Sequence, residues 1–259
     1  MTLSFDHVII AVDNLTIAIE DYKSQGFTVI EGGEHGAGTT HNALICFKDG
    51  SYIELIALTG ATVPEPDVAI DFAPLIRRKR GVVGYAFRSD DLKADTEAMQ
   101  ARGVPAGDIQ QGMRHRKDGI ALRWQILIPE NDPLMLFIED ETPRHLRVPN
   151  DEHHVSHSNG ATGVRRIVHV QAEPQPFVDK LHNLTGIQPE PSANGFSLKL
   201  DPVAINIMRP GTDLLRSYHE TNGDSVWRLV LGGIGEMYRH LDHARLRGAD
   251  IVIAGDGAM

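Results

Sequence analysis

Val8-Ile9-Ile10-Ala11-Val12, then Leu15, Ile19 and Tyr22, then Gly26: this stretch decides the fold, because the chain repeats it 77 residues further on. The apolar run has the length of a buried strand. Leu15, Ile19 and Tyr22 fall at i, i+4 and i+7, one face of a helix. Gly26 then stops the helix, since glycine tolerates the positive φ that helix ends adopt. At the same offset residues 83–87 are apolar, Leu92, Thr96 and Met99 keep the spacing, and Gly103 follows. The pattern returns at residues 167–170 with Phe177, Leu181, Leu184 and Gly186, and at 226–231 with Met237, Leu241, Ala244 and Gly248. Self-similarity of this kind marks an internally repeated architecture.

The residues after each glycine fix the unit. Thr28-Val29-Ile30 and a Gly-rich stretch lead to apolar residues 43–47, an Asp49-Gly50 turn, and residues 51–58. Asp-Gly between apolar runs is a strong hairpin signal, so the unit reads β-α-β-β-β. The second unit has residues 122–128, a turn at Asn131-Asp132-Pro133, and 134–138. The third has 196–200, a turn at Asp201-Pro202, and 203–208. The fourth ends soon after Ile251-Val252-Ile253 and is incomplete. The chain therefore divides into residues 1–145 (modules 3–60 and 81–141), a polar, His-rich linker at 146–163, and a divergent module pair at 164–259. Residues 59–80, with Pro64, Pro66, Pro74 and Arg77-Arg78-Lys79-Arg80, read as a solvated connection between the first two modules.

Composition narrows the function. Of 259 residues, 41% are hydrophobic and 23% charged, enough for real cores and unlike a disordered chain. Lys and Arg total 25 against 35 Asp and Glu, a formal net charge of −10. Phosphate neutralisation supplies most nucleic-acid affinity, so this balance argues against nucleic acid and against an anionic membrane surface. Cys46 is the single cysteine, which excludes an intrachain disulfide or a Cys-based zinc cluster. The N-terminal residues lack a basic stretch followed by an apolar one. The expectation is a cytoplasmic protein acting on a small molecule, with a second copy of the chain as a candidate partner.

Three strings carry a family resemblance. Phe5-Asp6-His7-Val8-Ile9-Ile10-Ala11-Val12 opens the chain, His35-Gly36-Ala37-Gly38-Thr39-Thr40-His41-Asn42 follows the first helix, and Asp49-Gly50-Ser51-Tyr52-Ile53-Glu54-Leu55-Ile56 follows that. Together with Leu122-Arg123-Trp124 and Asn159-Gly160-Ala161, they resemble the glyoxalase-like domain family of the vicinal oxygen chelate superfamily, which includes glyoxalase I and the extradiol dioxygenases. The resemblance implies an α+β fold of tandem βαβββ modules paired into a half-barrel, with a more divergent, incomplete second pair. It also implies a divalent metal (Zn, Mn, Fe or Ni) on the inner wall, held from the first and fourth strands of both modules.

Those positions give His7, Glu54 and Glu139 as the expected metal ligands, with Gly84 standing where the second module would match His7. Imidazole and carboxylate suit such ions, and open coordination positions would serve Lewis-acid chemistry. Glu54 and His41 are the expected catalytic residues, since a charge within an apolar strand needs a reason and a histidine can shuttle protons near neutral pH. Asn42, Arg123 and Trp124 are the expected substrate contacts, although strand alternation lets only one of Arg123 and Trp124 face the cleft. Arg114-His115-Arg116-Lys117 reads as a charged hairpin tip, His153, His154 and His157 as linker residues, His169 as a core histidine, and Cys46 as buried and inert. No G-x-S-x-G or nucleotide-binding glycine motif is present. The leading expectation is a metal-dependent lyase or isomerase acting on vicinal oxygens. The alternatives are a metal-free protein that sequesters small molecules and a ring-cleaving dioxygenase.

Overall fold

The first repeat forms as its sequence dictates. In the computed structural model, which describes residues 3–35, 38–61, 81–116, 118–129 and 135–255, strand β1 (Ser4–Ala11) leads to helix α1 (Leu15–Ser24). Asn14 caps that helix by accepting from the Ile17 amide at 3.0 Å. The second repeat places β5 (Gly81–Arg88) before α2 (Leu92–Ala101), and Asp91, 77 residues after Asn14, caps it through the Ala94 amide at 2.9 Å. Gly26 and Gly103 follow the two helices at φ +88° and +83°, where a side chain would be strained.

Each module then lays down three more strands: β2 (Ile30–His35), β3 (Thr40–Cys46) and β4 (Tyr52–Leu58) in the first, β6 (Gln110–His115), β7 (Ala121–Leu127) and β8 (Met135–Asp140) in the second. First and fourth strands run parallel in each module, β1 beside β4 and β5 beside β8. The modules join along β1·β5 and again along β2·β6, so the pair closes into an eight-stranded barrel, β1-β4-β3-β2-β6-β7-β8-β5. The basic run at 77–80 and the turn at 131–133 lie outside the described residues.

Alternation sorts the barrel walls. Val8, Ile10, Ile53 and Leu55 face outward into the main core, while Ile9, Ala11, Ile56, Val83, Ala86, Leu122, Trp124, Ile126, Leu136 and Ile138 form a separate cluster inside the barrel. The polar linker is folded, not loose. It carries two short helices, α3 (Arg144–Arg147) and α4 (Glu152–Val155), whose Val148 and Val155 pack on Leu44, Cys46 and Tyr52.

The C-terminal part repeats the plan in an open, seven-stranded sheet of order β10-β11-β12-β9-β13-β15-β14. The third module is β9 (Gly163–Val170), α5 (Pro174–Thr185), β10 (Glu190–Ser192), β11 (Gly195–Leu200) and β12 (Val203–Met208). Helix α6 (Asp213–Asn222), which the repeat pattern does not anticipate, precedes β13 (Ser225–Gly233), β14 (Tyr238–His240) and β15 (Ile251–Gly255). The helix expected over residues 237–244 does not form. Residues 238–240 are strand, and 243–248 run as turns. Tertiary contacts outweigh the helical spacing there: Leu246 and Leu241 are buried in the main core, the Leu246 carbonyl accepts from Tyr22 Oη at 3.2 Å, and Arg247 pairs with Asp21 of α1. Among the described residues no helix is long and apolar enough to cross a membrane.

Candidate functional site

The barrel interior is mostly apolar on the wall built by the second module, Arg114 apart, and carries a polar cluster on that built by the first, beside Ile9, Ala11 and Ile56. His7 and Tyr52 are register partners on β1 and β4, and their rings stack at 4.4 Å. One step along, Ile9 pairs with Glu54. Glu54 is only 8% exposed and is saturated by neighbours. Its Oε1 accepts from Asn42 Nδ2 at 2.6 Å and lies 3.5 Å from His35 Nε2, while Oε2 lies 3.3 Å from His7 Nε2. A register shift between Phe5 and His7 interrupts the β1·β5 ladder. Such an irregularity re-aims side chains, and here Asp6 Oδ1 meets its own neighbour, His7 Nδ1, at 2.7 Å.

Hydrogen-bond roles assign the protons. Arg114 Nη1 donates to Asn42 Oδ1 at 3.0 Å, which turns the Asn42 amide nitrogen toward Glu54 and, at 3.3 Å, toward His35 Nε2. An amide nitrogen only donates, so His35 Nε2 is the acceptor and Nδ1 carries the proton, donated to Thr40 Oγ1 at 2.8 Å. His7 faces a carboxylate at each nitrogen and donates to both. Burial alone would lower the His7 pKa, but the hydrogen bonds and charges of Asp6 and Glu54 raise it. Burial lowers that of His35 and outweighs the attraction of Glu54. Burial would raise the Glu54 carboxyl, yet the hydrogen bond and charge of His7 and the Asn42 amide hold it down at about 2. A carboxylate held so low is a weak base and a firm anchor.

Below this cluster lies a second polar layer. Arg147, 3% exposed, donates to Asp6, to Tyr52 Oη at 2.7 Å, and to Asp140 at 2.5 and 2.7 Å. Arg144 pairs with Asp6 and donates to the Gly50 carbonyl at 2.8 Å. Both arginines belong to α3, so the linker closes one side of the site. Sequence reasoning missed them because the segment looks merely polar.

It also missed His35 and Arg114. Residues 30–35 contain Gly32 and Gly33 and read as loop, and Arg114 sits in a run of charges. The β2·β6 pairing brings the two into register and places both inside the barrel. The available signal was alternation: Gly112 and Arg114 share a face of β6, and Gly112 lies opposite Trp124, whose indole occupies the space a Cβ would fill.

Of the expected site residues, His7, Glu54, Asn42 and Trp124 converge inside the barrel, and Trp124 and His35 meet edge to face at 6.4 Å. His41 and Arg123 take the opposite phase on their strands; Arg123 is exposed. Glu139 also points outward. Its carboxylate accepts from the Leu92 amide at 2.7 Å, at the start of α2, and lines a surface groove of about 480 Å³ with Arg88, Ser89, Asp90 and Arg144. Anions are favoured at helix N-termini, so that position is self-explanatory.

The expected metal set therefore does not assemble. In the observed register Ala86 pairs with Leu136 as Ile9 pairs with Glu54, so the second module presents Gly84 and Leu136 where the first presents His7 and Glu54. His7 Nε2 is turned onto Glu54 as a donor. Among the described residues no group of three His, Cys, Asp or Glu side chains is arranged to hold a metal ion. His157 and His169 have structural settings. His157 accepts from the Thr28 amide at 3.0 Å and donates to the Cys46 carbonyl at 3.0 Å, while His169 is fully buried with its ring 4.6 Å from Phe177. Burial pushes the Cys46 thiol up to about 12, so it stays protonated.

Comparison with known proteins agrees with this architecture. A family model described as a glyoxalase-like domain matches residues 5–185. The fold is similar to that of a hypothetical protein from Staphylococcus aureus, with a TM-score of 0.77 at 15% identity over 98% of this chain and 99% of that one. It is also similar to a variant of 4-hydroxymandelate synthase from Streptomyces coelicolor, with a TM-score of 0.56 at 11% identity over 94% of this chain and 78% of that one. No curated protein matches the chain in sequence.

Proposed function

Because the chain belongs to the glyoxalase-like domain family of the vicinal oxygen chelate superfamily, we propose that it is a small-molecule enzyme that moves a proton at a carbon beside a carbonyl, an isomerase- or lyase-type reaction inside the barrel. The observation that carries this reading is the convergence of two differently bonded imidazoles on one carboxylate, with His7 Nε2 at 3.3 Å and His35 Nε2 at 3.5 Å from Glu54.

The division of labour follows from the hydrogen bonds. His35 offers the Nε2 lone pair as base, with Thr40 holding the opposite nitrogen in its protonated tautomer. Breaking the substrate C–H bond sends the proton to that lone pair and the electron pair onto the carbonyl oxygen. The oxygen then accepts the Nε2–H of His7, which turns from Glu54 to the oxygen while Asp6 holds the ring through Nδ1. Glu54 holds the donor in place and does not itself take the proton. Isomerisation returns the proton to a neighbouring atom; a lyase reaction expels a leaving group instead. Trp124 and the apolar wall of Val83, Leu136 and Ile138 exclude water, which strengthens each of these interactions. Positioned acid–base groups of this kind contribute about 10²–10⁴-fold. No step depends on a metal.

The test is solvent-deuterium exchange. The protein is incubated in D₂O with a panel of 2-oxo acids, 2-hydroxy acids and 2-hydroxy aldehydes, and deuterium entering at carbon is read by NMR. Exchange by the wild type, lowered about 10²-fold or more in a folded His35→Gln variant, is the expected result. Undiminished exchange in that variant would remove His35 from the chemistry. Activity lost with chelator and restored by a divalent ion would replace this reading with a metal-dependent one. Tight binding of a compound recovered unexchanged would favour sequestration.

A further inference from the structure

We infer that Arg114 is the receptor for a carboxylate on the substrate, so that the site takes small 2-oxo acids, whose carboxylate adjoins the carbonyl that receives the electron pair when the carbon beyond it is deprotonated. The inference deepens the proposed function and rests on it for the location of the chemistry. Arg114 is 3% exposed, inside the barrel. A buried cation is costly unless an anion and good hydrogen bonds compensate it. Its neighbours are compensated: Arg144 and Arg147 are both bonded to Asp6 and Asp140. Glu54 is committed to His7 and Asn42. Among the described residues no carboxylate oxygen lies within 4.0 Å of the Arg114 guanidinium. Its hydrogen bonds there go to neutral oxygens, Asn42 Oδ1 at 3.0 Å and the Arg147 carbonyl at 3.4 Å. A guanidinium presents five N–H groups in a planar fork that matches a carboxylate, so donors remain for a ligand.

The backbone makes way for this side chain. A Cβ on Gly32 would overlap both Arg114 Nη1 and Asn42 Oδ1, so the guanidinium occupies space that only glycine leaves open. Arg114 is also the register partner of His35 across β2·β6, and partners in an antiparallel ladder stand about 5 Å apart. A carboxylate seated on Arg114 therefore places the next carbon atoms beside the His35 base. The adjoining oxygen is left for His7. The vicinal oxygens of such a substrate are then its carboxylate and its neighbouring carbonyl.

Binding separates this inference from the reaction itself. The full chain is titrated at pH 7 by calorimetry with pyruvate, with methyl pyruvate, which has the same skeleton without the charge, and with inorganic phosphate. Pyruvate is expected to bind at least about tenfold more tightly than its ester, and Arg114→Gln is expected to abolish that difference, as loss of a charge-assisted pair predicts. The pyruvate–ester comparison on the wild type decides the matter if the variant does not fold. Equal affinity for acid and ester, no saturable binding of pyruvate, or full pyruvate affinity in a folded Arg114→Gln variant would overturn the inference. Tighter binding of phosphate than of pyruvate would overturn the choice of a carboxylate. Carboxylate binding without deuterium exchange would leave the anion site standing and refute only the proton-transfer chemistry.

Discussion

Replacing Glu54 with glutamine tests the interior cluster quantitatively. The side chain keeps its shape but offers one oxygen and one NH₂ where the carboxylate offers two acceptors. Asn42 and His7 both donate to Glu54, so one of them must then face another donor. The magnitude follows from the carboxyl's own preference for ionisation. The fall from 4.5 to about 2 corresponds to about 3 kcal/mol, at about 1.4 kcal/mol per pH unit. Glu54→Gln is therefore expected to lower the unfolding free energy by about 3 kcal/mol at pH 7. The carboxylate's contribution is fully present above the unfolded value of 4.5 and is lost as pH falls through about 2. At pH 3, between the two values, roughly half of it is lost, so the gap between variant and wild type shrinks. Urea unfolding at pH 7 and pH 3, with midpoint and slope compared, reads this directly. A variant as stable as wild type at pH 7, or a gap that does not shrink at pH 3, would refute the account of how Glu54 is held.

Other expectations follow from the same geometry. Gly32→Ala should separate Arg114 from Asn42, because the added Cβ overlaps both; a loss of several kcal/mol is expected, seen as a lower thermal midpoint. Arg147→Met should cost up to about 3–5 kcal/mol by leaving Asp6 and Asp140 with Arg144 alone of their two arginines and by removing the fully buried one, and limited proteolysis should then cut within residues 141–163. His7 has a raised pKa, so its contribution is complete below the ordinary value of 6.5 and is lost as pH rises through the folded value. The stability gap between wild type and His7→Gln should accordingly narrow from pH 6 toward pH 9 in denaturant titrations.

Most of the barrel was legible in the sequence, because its signals are local and doubled. Asn14 and Asp91 cap equivalent helices, and Gly26 and Gly103 end them at the same offset. The fourth module was not legible. The apparent helical spacing of Met237, Leu241 and Ala244 is overridden by contacts to α1 more than two hundred residues away in sequence. The site divides in the same way. His7, Glu54, Asn42 and Trp124 follow from strand alternation once the strands are placed, and the same alternation sends His41, Arg123 and Glu139 outward. His35 and Arg114 meet only because β2 and β6 close the barrel, a pairing between modules that no local pattern announces. Arg144 and Arg147 enter through a linker whose polarity hid its docking onto Asp6.

The protonation states of the two imidazoles test the central claim most directly. Long-range ¹⁵N–¹H correlation spectra at pH 7, assigned with His7→Gln and His35→Gln, report the state of each ring nitrogen. The structure predicts His7 with both nitrogens protonated and His35 neutral with its proton on Nδ1. A neutral His7, or a His35 carrying its proton on Nε2, would contradict the acid and base roles given to them.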